Sequence, residues 1–158
     1  MGVLLGLVFA LVMIGGCETD ATDADIVVVQ LSEVKALTTG PKASTVLLVD
    51  PRAPLDFNAG HIAGAKNYQL NSERSRTGEG LNPLFRGYKH IFVYGEDPSS
   101  GTAKAMTKRL LNAGADGVRM YAGGMVEWRR SGLPIEKVET PASPPAAKPG
   151  EAPPPSPK

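Results

Sequence analysis

Between Tyr94 and Lys104 the order Tyr-Gly-Glu-Asp-Pro-Ser-Ser-Gly-Thr-Ala-Lys gathers two carboxylates and three hydroxyls into one turn. The apolar run His90–Tyr94 precedes it and a helical pattern follows. A strand that feeds a helix through such a turn is where α/β enzymes hold a nucleophile or an anion, because the first N–H groups of a helix have no intrahelical acceptor. The side chains bound the chemistry. Gly95, the first residue of the turn, offers none. Ser99 or Ser100 would need a neighbouring base to act as a nucleophile, and turn or cap formation is the expected use of both. Glu96 and Asp97 disfavour an anionic ligand, so residues 95 to 102 (Gly95, Glu96, Asp97, Pro98, Ser99, Ser100, Gly101, Thr102) read as a loop for a cationic or neutral ligand or a protein surface.

Three more residues belong to the candidate pocket. Asp50 and Arg52 stand two apart where the run Thr45–Asp50 ends, with an ion pair or a scaffold for the loop as their expected use. His61, in Gly-His-Ile, has no cluster of Cys, His or acids at ligand spacing, and packing at its turn is expected. His90 is expected on an exposed flank, and Met125 and Trp128, three apart, in the core.

Composition excludes several classes. In 158 residues, 17 Lys and Arg face 16 Asp and Glu with no basic block, so nothing points to nucleic acid. One cysteine, Cys17, rules out an internal disulfide and a zinc site with two or more thiolates. No phosphate-loop glycine motif is present, and no metal or organic cofactor is implied.

Elements follow from the apolar patterns. Strands are expected at Asp25–Gln30, Thr45–Asp50, Gly64–Leu70, His90–Tyr94 and Gly117–Gly124. Helices are expected from Leu31 with Ser32 as N-cap, from Pro54 to Gly60, from Thr102 to Gly114 with Ala103, Met106, Leu110 and Ala113 inward, and from Met125 to Gly132. Alternating strands and helices predict an α/β fold, a mostly parallel sheet with helices on both faces and a site at the carboxyl ends of the strands. The folded part spans residues 26–138. Residues 17–25, with four acids and no base, read as a solvated, extended tether. Residues 139–158, with eight prolines from Thr140 onward, read as a spacer tail.

The start of the chain resembles a bacterial lipoprotein signal peptide, residues 1–16, in which Ile14, Gly15, Gly16 and Cys17 would form the lipobox. Cleavage after Gly16 and lipidation of Cys17 are what the resemblance implies, with the mature chain anchored to a bacterial membrane on its extracytoplasmic side. The apolar run Gly2–Ile14 falls short of the ~20 residues that span a bilayer, and several acyl chains would hold where one is marginal. No Lys or Arg precedes the run, a departure from the usual positive start. An ordinary secretory leader and a short membrane anchor stay open as other readings.

Over nearly all of residues 26 to 136 the chain resembles a single rhodanese domain. The pieces that carry the likeness are Asp50-Pro-Arg52, Gly60-His-Ile-Ala-Gly-Ala65, the Ile91–Gly124 stretch and Gly123-Gly-Met-Val-Glu-Trp-Arg-Arg-Ser-Gly-Leu-Pro134. The family implies a five-stranded, mainly parallel sheet with helices on both faces, and sulfane sulfur transfer through a persulfide on the cysteine that heads the loop before the long helix. That position here is Gly95. A persulfide needs a thiolate, which glycine cannot supply, and residues 96 to 102 hold no cysteine. The expectation is a domain without sulfurtransferase activity, tethered in the cell envelope and acting as a binding or regulatory module for an envelope protein or small ligand. Two alternatives stay open: sulfur trafficking with a thiol borrowed from a partner, and a passive spacer. Glu96 and Asp97 are further expected to raise the pKa of a cysteine introduced at position 95.

Overall fold

The structure is a computed structural model that describes residues 20–70 and 82–138. The expected signal peptide, Cys17 and the tail beyond Val138 lie outside the described residues. Eleven elements follow one another: β1 (Val28–Val29), α1 (Leu31–Thr38), β2 (Val46–Asp50), α2 (Pro54–Ala59), β3 (His61–Ile62), β4 (Lys66–Asn67), β5 (His90–Tyr94), α3 (Gly101–Asn112), β6 (Val118–Tyr121), α4 (Gly124–Arg130) and β7 (Ile135–Glu136). The main sheet has the order β1-β6-β5-β2-β4, and every pair in it is parallel.

Strand alternation divides the core in two. Successive side chains of a strand point to opposite faces. From β5, Ile91 and Val93 enter the cluster that α3 covers with Ala103, Met106 and Leu110. Phe92 and Tyr94 enter the opposite cluster, with Val34 of α1 and Met125 and Trp128 of α4. Both faces of the central strands are therefore apolar, which is why β2 and β5 read as continuous apolar runs. Among the described residues, the two clusters draw on side chains from Ile26 to Leu133.

Pro54 opens α2 at its first turn, where its missing N–H costs no helix bond. Gly114 follows the C-cap of α3 with a φ of 75°, the left-handed conformation that closes helices. The chain departs from expectation in four places. Gln30, without a side-chain cap bond, is the N-cap of α1, and Ser32 lies inside the helix. His61 and Ile62 form β3, which pairs antiparallel with β7, a strand the sequence reading lacks. His90 is half-buried: Arg119 donates from Nη2 to its Nδ1 at 2.7 Å, and its ring stacks on Phe92. Residues 20–25 are not extended but turn against α3. A short 3-10 turn over Asp23–Asp25 is stapled by Thr22 and Asp25, Lys108 donates to Asp23, and the Ala21 N–H donates to Asn112 in the last turn of α3. Lys108 holds the Asp23 carboxyl below its usual range. The chain thus enters at the end of α3 away from the loop after β5.

Strand order places the site. After β2 the chain moves outward to β4, then returns to β5 and moves the other way to β6. The reversal falls between β2 and β5, and crevices at the carboxyl ends beside such a switch point are where ligands sit in open α/β sheets.

Candidate functional site

At the end of β2, Asp50 is fully buried and Arg52 nearly so. Arg52 donates from its backbone N–H and Nε to Asp50 Oδ1, each at 3.0 Å, and from Nη2 to Oδ2 at 2.7 Å. A second bond from Nη2 reaches the Gly60 carbonyl at 2.8 Å. Burial alone would lower the Arg52 pKa, but hydrogen bonds and charge from Asp50, then Glu96, more than reverse it. Asn67 Nδ2 ties the same turn by donating to the carbonyls of Asp50 and Arg52, both at 2.9 Å. A buried charge pair holds when its remaining bonding capacity is filled, and this one is filled from three segments.

His61 lies below that pair. Its ring stacks on Phe57 with centroids 3.7 Å apart, and Nδ1 lies 2.9 Å from the Phe57 carbonyl. The next N–H, of Ile62, donates to the Tyr94 hydroxyl at 3.1 Å. Burial first, then the Asp50 charge, pushes the Tyr94 phenol up, so it stays neutral and bonds as a hydroxyl. Among the described residues no group of three or more His, Cys, Asp or Glu side chains could hold a metal ion.

The loop after β5 is bonded to itself and to its neighbours. Asp97 accepts from the Ser99 hydroxyl at 2.6 Å and the Ser99 N–H at 2.8 Å, bonds that lower its pKa. Ser100 is the N-cap of α3, its Oγ accepting from the Ala103 N–H at 3.4 Å and lying 3.1 Å from the Thr102 hydroxyl. Pro98 and Ser99 are exposed, while Gly95 is buried. The first free N–H groups of α4 are spent on this loop: Met125 donates to the Gly95 carbonyl at 3.0 Å and Val126 to that of Glu96 at 2.9 Å. Gly124 makes that approach possible. Its φ is 58°, and a Cβ there would stand under 3.0 Å from both carbonyl oxygens.

Two observations change the expected chemistry of the loop. The first concerns Glu96, whose carboxylate bridges two arginines, Arg52 at 2.6 Å and Arg129 of α4 at 2.5 Å. It is a neutralised internal ligand and not a free charge in the pocket. Asp97 is held by Ser99 at the exposed tip. The arginine pairing offsets the Glu96 charge that was expected to repel an anion, while Asp97, bonded only to Ser99, keeps its charge. The second concerns Gly95. A Cβ built on it would lie under 3.0 Å from both Oγ and Cβ of Ser100, and 3.3 Å from the Ala103 Cβ. The space where a side chain would begin is already filled by Ser100.

The structure therefore brings Asp50, Arg52, Glu96 and Gly95 together at the switch point, keeps His61 beneath as packing, and leaves Asp97, Pro98 and Ser99 on the surface. Arg129, Tyr94 and Gly124 complete the site and were not foreseen. Arg129 is one of two adjacent exposed arginines at the end of a short helix, 33 residues from Glu96, and nothing local marks it.

Parallel order, helices on both faces and a loop entering a helix at the switch point define an α/β domain with its site at the carboxyl ends of the strands. Within that class the match is specific. The description "Rhodanese-like domain" fits residues 30–131, and the chain belongs to that family. A thiosulfate sulfurtransferase of Arabidopsis thaliana is 33% identical over 95 residues, covering 56% of this chain and 78% of its own. An uncharacterized protein of Synechocystis sp. is 32% identical over 94 residues, covering 60% of this chain and 49% of its own, so this chain spans about half the length of that relative. Among solved structures, a protein of unknown function from Rhodopseudomonas palustris, described as a possible tyrosine phosphatase, superposes with a TM-score of 0.60 and 26% identity over 72% of this chain and 87% of its own. A rhodanese-like domain from Anabaena sp. gives 0.53 at 23% identity over 76% and 88%, a likeness of fold.

Proposed function

We propose that this rhodanese-like domain does not transfer sulfur and instead serves as a binding or regulatory module held in the bacterial envelope by a lipid on Cys17. One observation supports the first part: at Gly95, which the family resemblance aligns with the nucleophile position, the Ser100 side chain occupies the place where a Cβ would stand. Persulfide chemistry needs a sulfur that attacks the donor and leaves with the cargo bonded to it, and neither a hydroxyl nor a glycine offers that exchange. The same filling weighs against a thiol borrowed from a partner, since an entering sulfur would meet Ser100. Glu96 closes the arginine pair to an anionic donor. The test is thiosulfate to cyanide transfer by the full chain in detergent. No turnover above a heat-denatured control is expected, and clear turnover sinks the reading.

The envelope part rests on the lipobox resemblance, with residues 20–25 as support. Because that segment lies along α3 toward Asn112, an acylated Cys17 would hold the loop-bearing end of the sheet away from the bilayer. Metabolic labelling with a palmitate analogue should modify the chain and should fail on Cys17→Ser. Label retained on that variant would remove the anchor from the proposal.

A further inference from the structure

Beside the closed loop an open groove of about 750 Å³ runs between the first turn of α1 and the outer face of α4, with Pro98 at one end. Its volume lies within the ~300 to 1,000 Å³ common for small-molecule sites. Val28, Val29, Leu31, Ala122 and Val126 supply its apolar lining. Val28 is 56% exposed and Val126 38%, so both show apolar surface to solvent.

Three charged side chains line the groove. Glu127 of α4 accepts from the Tyr121 hydroxyl at 2.9 Å. Lys35 and Arg130, one from each wall, make no ion pair among the described residues, unlike Arg52, Lys108, Arg119 and Arg129. The charge balance is one held carboxylate against two unpaired cations. An apolar trough with spare positive charge complements a molecule with an apolar body and one negative end. The N–H groups of Leu31 and Ser32, at the uncapped start of α1, add to the same potential.

We propose that this groove binds a single-chain amphiphile, its alkyl body along Val28, Leu31 and Val126 and its anionic head between Lys35 and Arg130. The proposal deepens the reading of the domain as a binding module and rests on it. Carboxylate and phosphate heads satisfy the same two cations, so a fatty acid and a phospholipid-derived amphiphile share this chemistry.

The test titrates sodium decanoate, decyl phosphate and 1-decanol, each below its aggregation limit, into the chain lacking residues 1–16, the leader that the proposed cleavage removes. Methyl NMR should show saturable one-to-one shifts at Val28, Leu31 and Val126, with both anions at least tenfold tighter than the alcohol. Comparison of the two anions identifies the preferred head. The double variant Lys35→Gln, Arg130→Gln should weaken the anions at least tenfold, leave the alcohol unchanged and keep the wild-type melting temperature. Val126→Asp, at an exposed position, should abolish all three. Non-saturable binding, equal affinity for decanol, or indifference to the charge variant overturns the proposal. Concentration-dependent self-association that shifts the same methyls without decanoate would assign the face to a second copy and also overturns it. Sulfur turnover in the transfer assay, by contrast, would sink the functional reading while leaving this binding result intact.

Discussion

The two strand ends that flank the switch point use polar residues in opposite ways. After β2, Asp50 and Arg52 are buried, and their bonds run inward to Gly60 and Asn67. After β5, Asp97 and Ser99 face outward, and Ser100 turns inward only far enough to fill the space above Gly95. Glu96 joins the two ends by reaching Arg52. The buried turn is a scaffold that cannot lose a partner cheaply. The outer loop is held by the packing of Ser100 and by bonds to itself. The charge network that shapes the pocket therefore draws on both strand ends, Asp50 and Arg52 after β2 and Glu96 after β5.

Four experiments sharpen or break this contrast. Arg52→Ala should be the most damaging, since it strands the Asp50 carboxylate in the interior; removing one partner of a buried pair costs about 3 to 5 kcal/mol. Urea denaturation should show the loss, and Arg52→Lys should recover little of it because one ammonium cannot reproduce the forked bonds. A loss below 1 kcal/mol would mean the buried end is not a scaffold.

Gly95→Ala comes next. Its Cβ collides with Ser100, and overpacking of this kind costs about 1 to 3 kcal/mol. Ser100→Gly in the same chain should return most of the stability, and a double-mutant cycle without coupling would contradict the filled-space argument. By the same geometry Gly95→Cys alone should remain inactive in sulfur transfer, for steric rather than electrostatic reasons.

Glu96→Gln should change stability by about 1 kcal/mol, in keeping with a half-exposed carboxylate, and should change ligand response more. With Arg52 and Arg129 released, added sulfate should raise the melting temperature of the variant by mass action while leaving the wild type level. Equal sulfate responses would show that Glu96 does not occupy an anion site.

The smallest effect concerns pH. Burial, then the charges of Arg119 and Lys42, lowers the His90 pKa below its ordinary 6.5. The unfolded chain then binds more protons than the folded one between the folded pKa and 6.5, so stability should fall as pH drops through that window and be unaffected above it. His90→Gln should flatten that part of the stability profile; an unchanged profile would mean the Arg119 contact does not hold the ring neutral.

Much of this architecture was legible before any coordinates. Thr45–Asp50 and His90–Tyr94 announced buried strands because both faces of a central parallel strand demand apolar side chains, and the steps Ala103, Met106, Leu110 marked the inner stripe of α3. Asp50 with Arg52 was legible as a pair because the two stand side by side in the chain. Two-residue strands such as β3 and β7 were not, since so short a segment carries no period and is defined only by its partner. The fold of residues 20–25 onto α3 was hidden for a similar reason, because an acidic stretch looks solvated until Lys108 and Asn112 are brought beside it.

That residue 95 is glycine and that residues 96 to 102 hold no cysteine were decided by the sequence alone, because a reacting atom has to be brought by a side chain. The consequences were decided by the tertiary structure. That Ser100 fills the vacancy, that Glu96 settles between Arg52 and Arg129 rather than facing a ligand, and that Lys35 and Arg130 border one apolar groove are facts of distance between residues far apart in the chain. Composition and spacing register what each residue can do, but electrostatics and close packing act through space, and only the folded chain sets which groups meet.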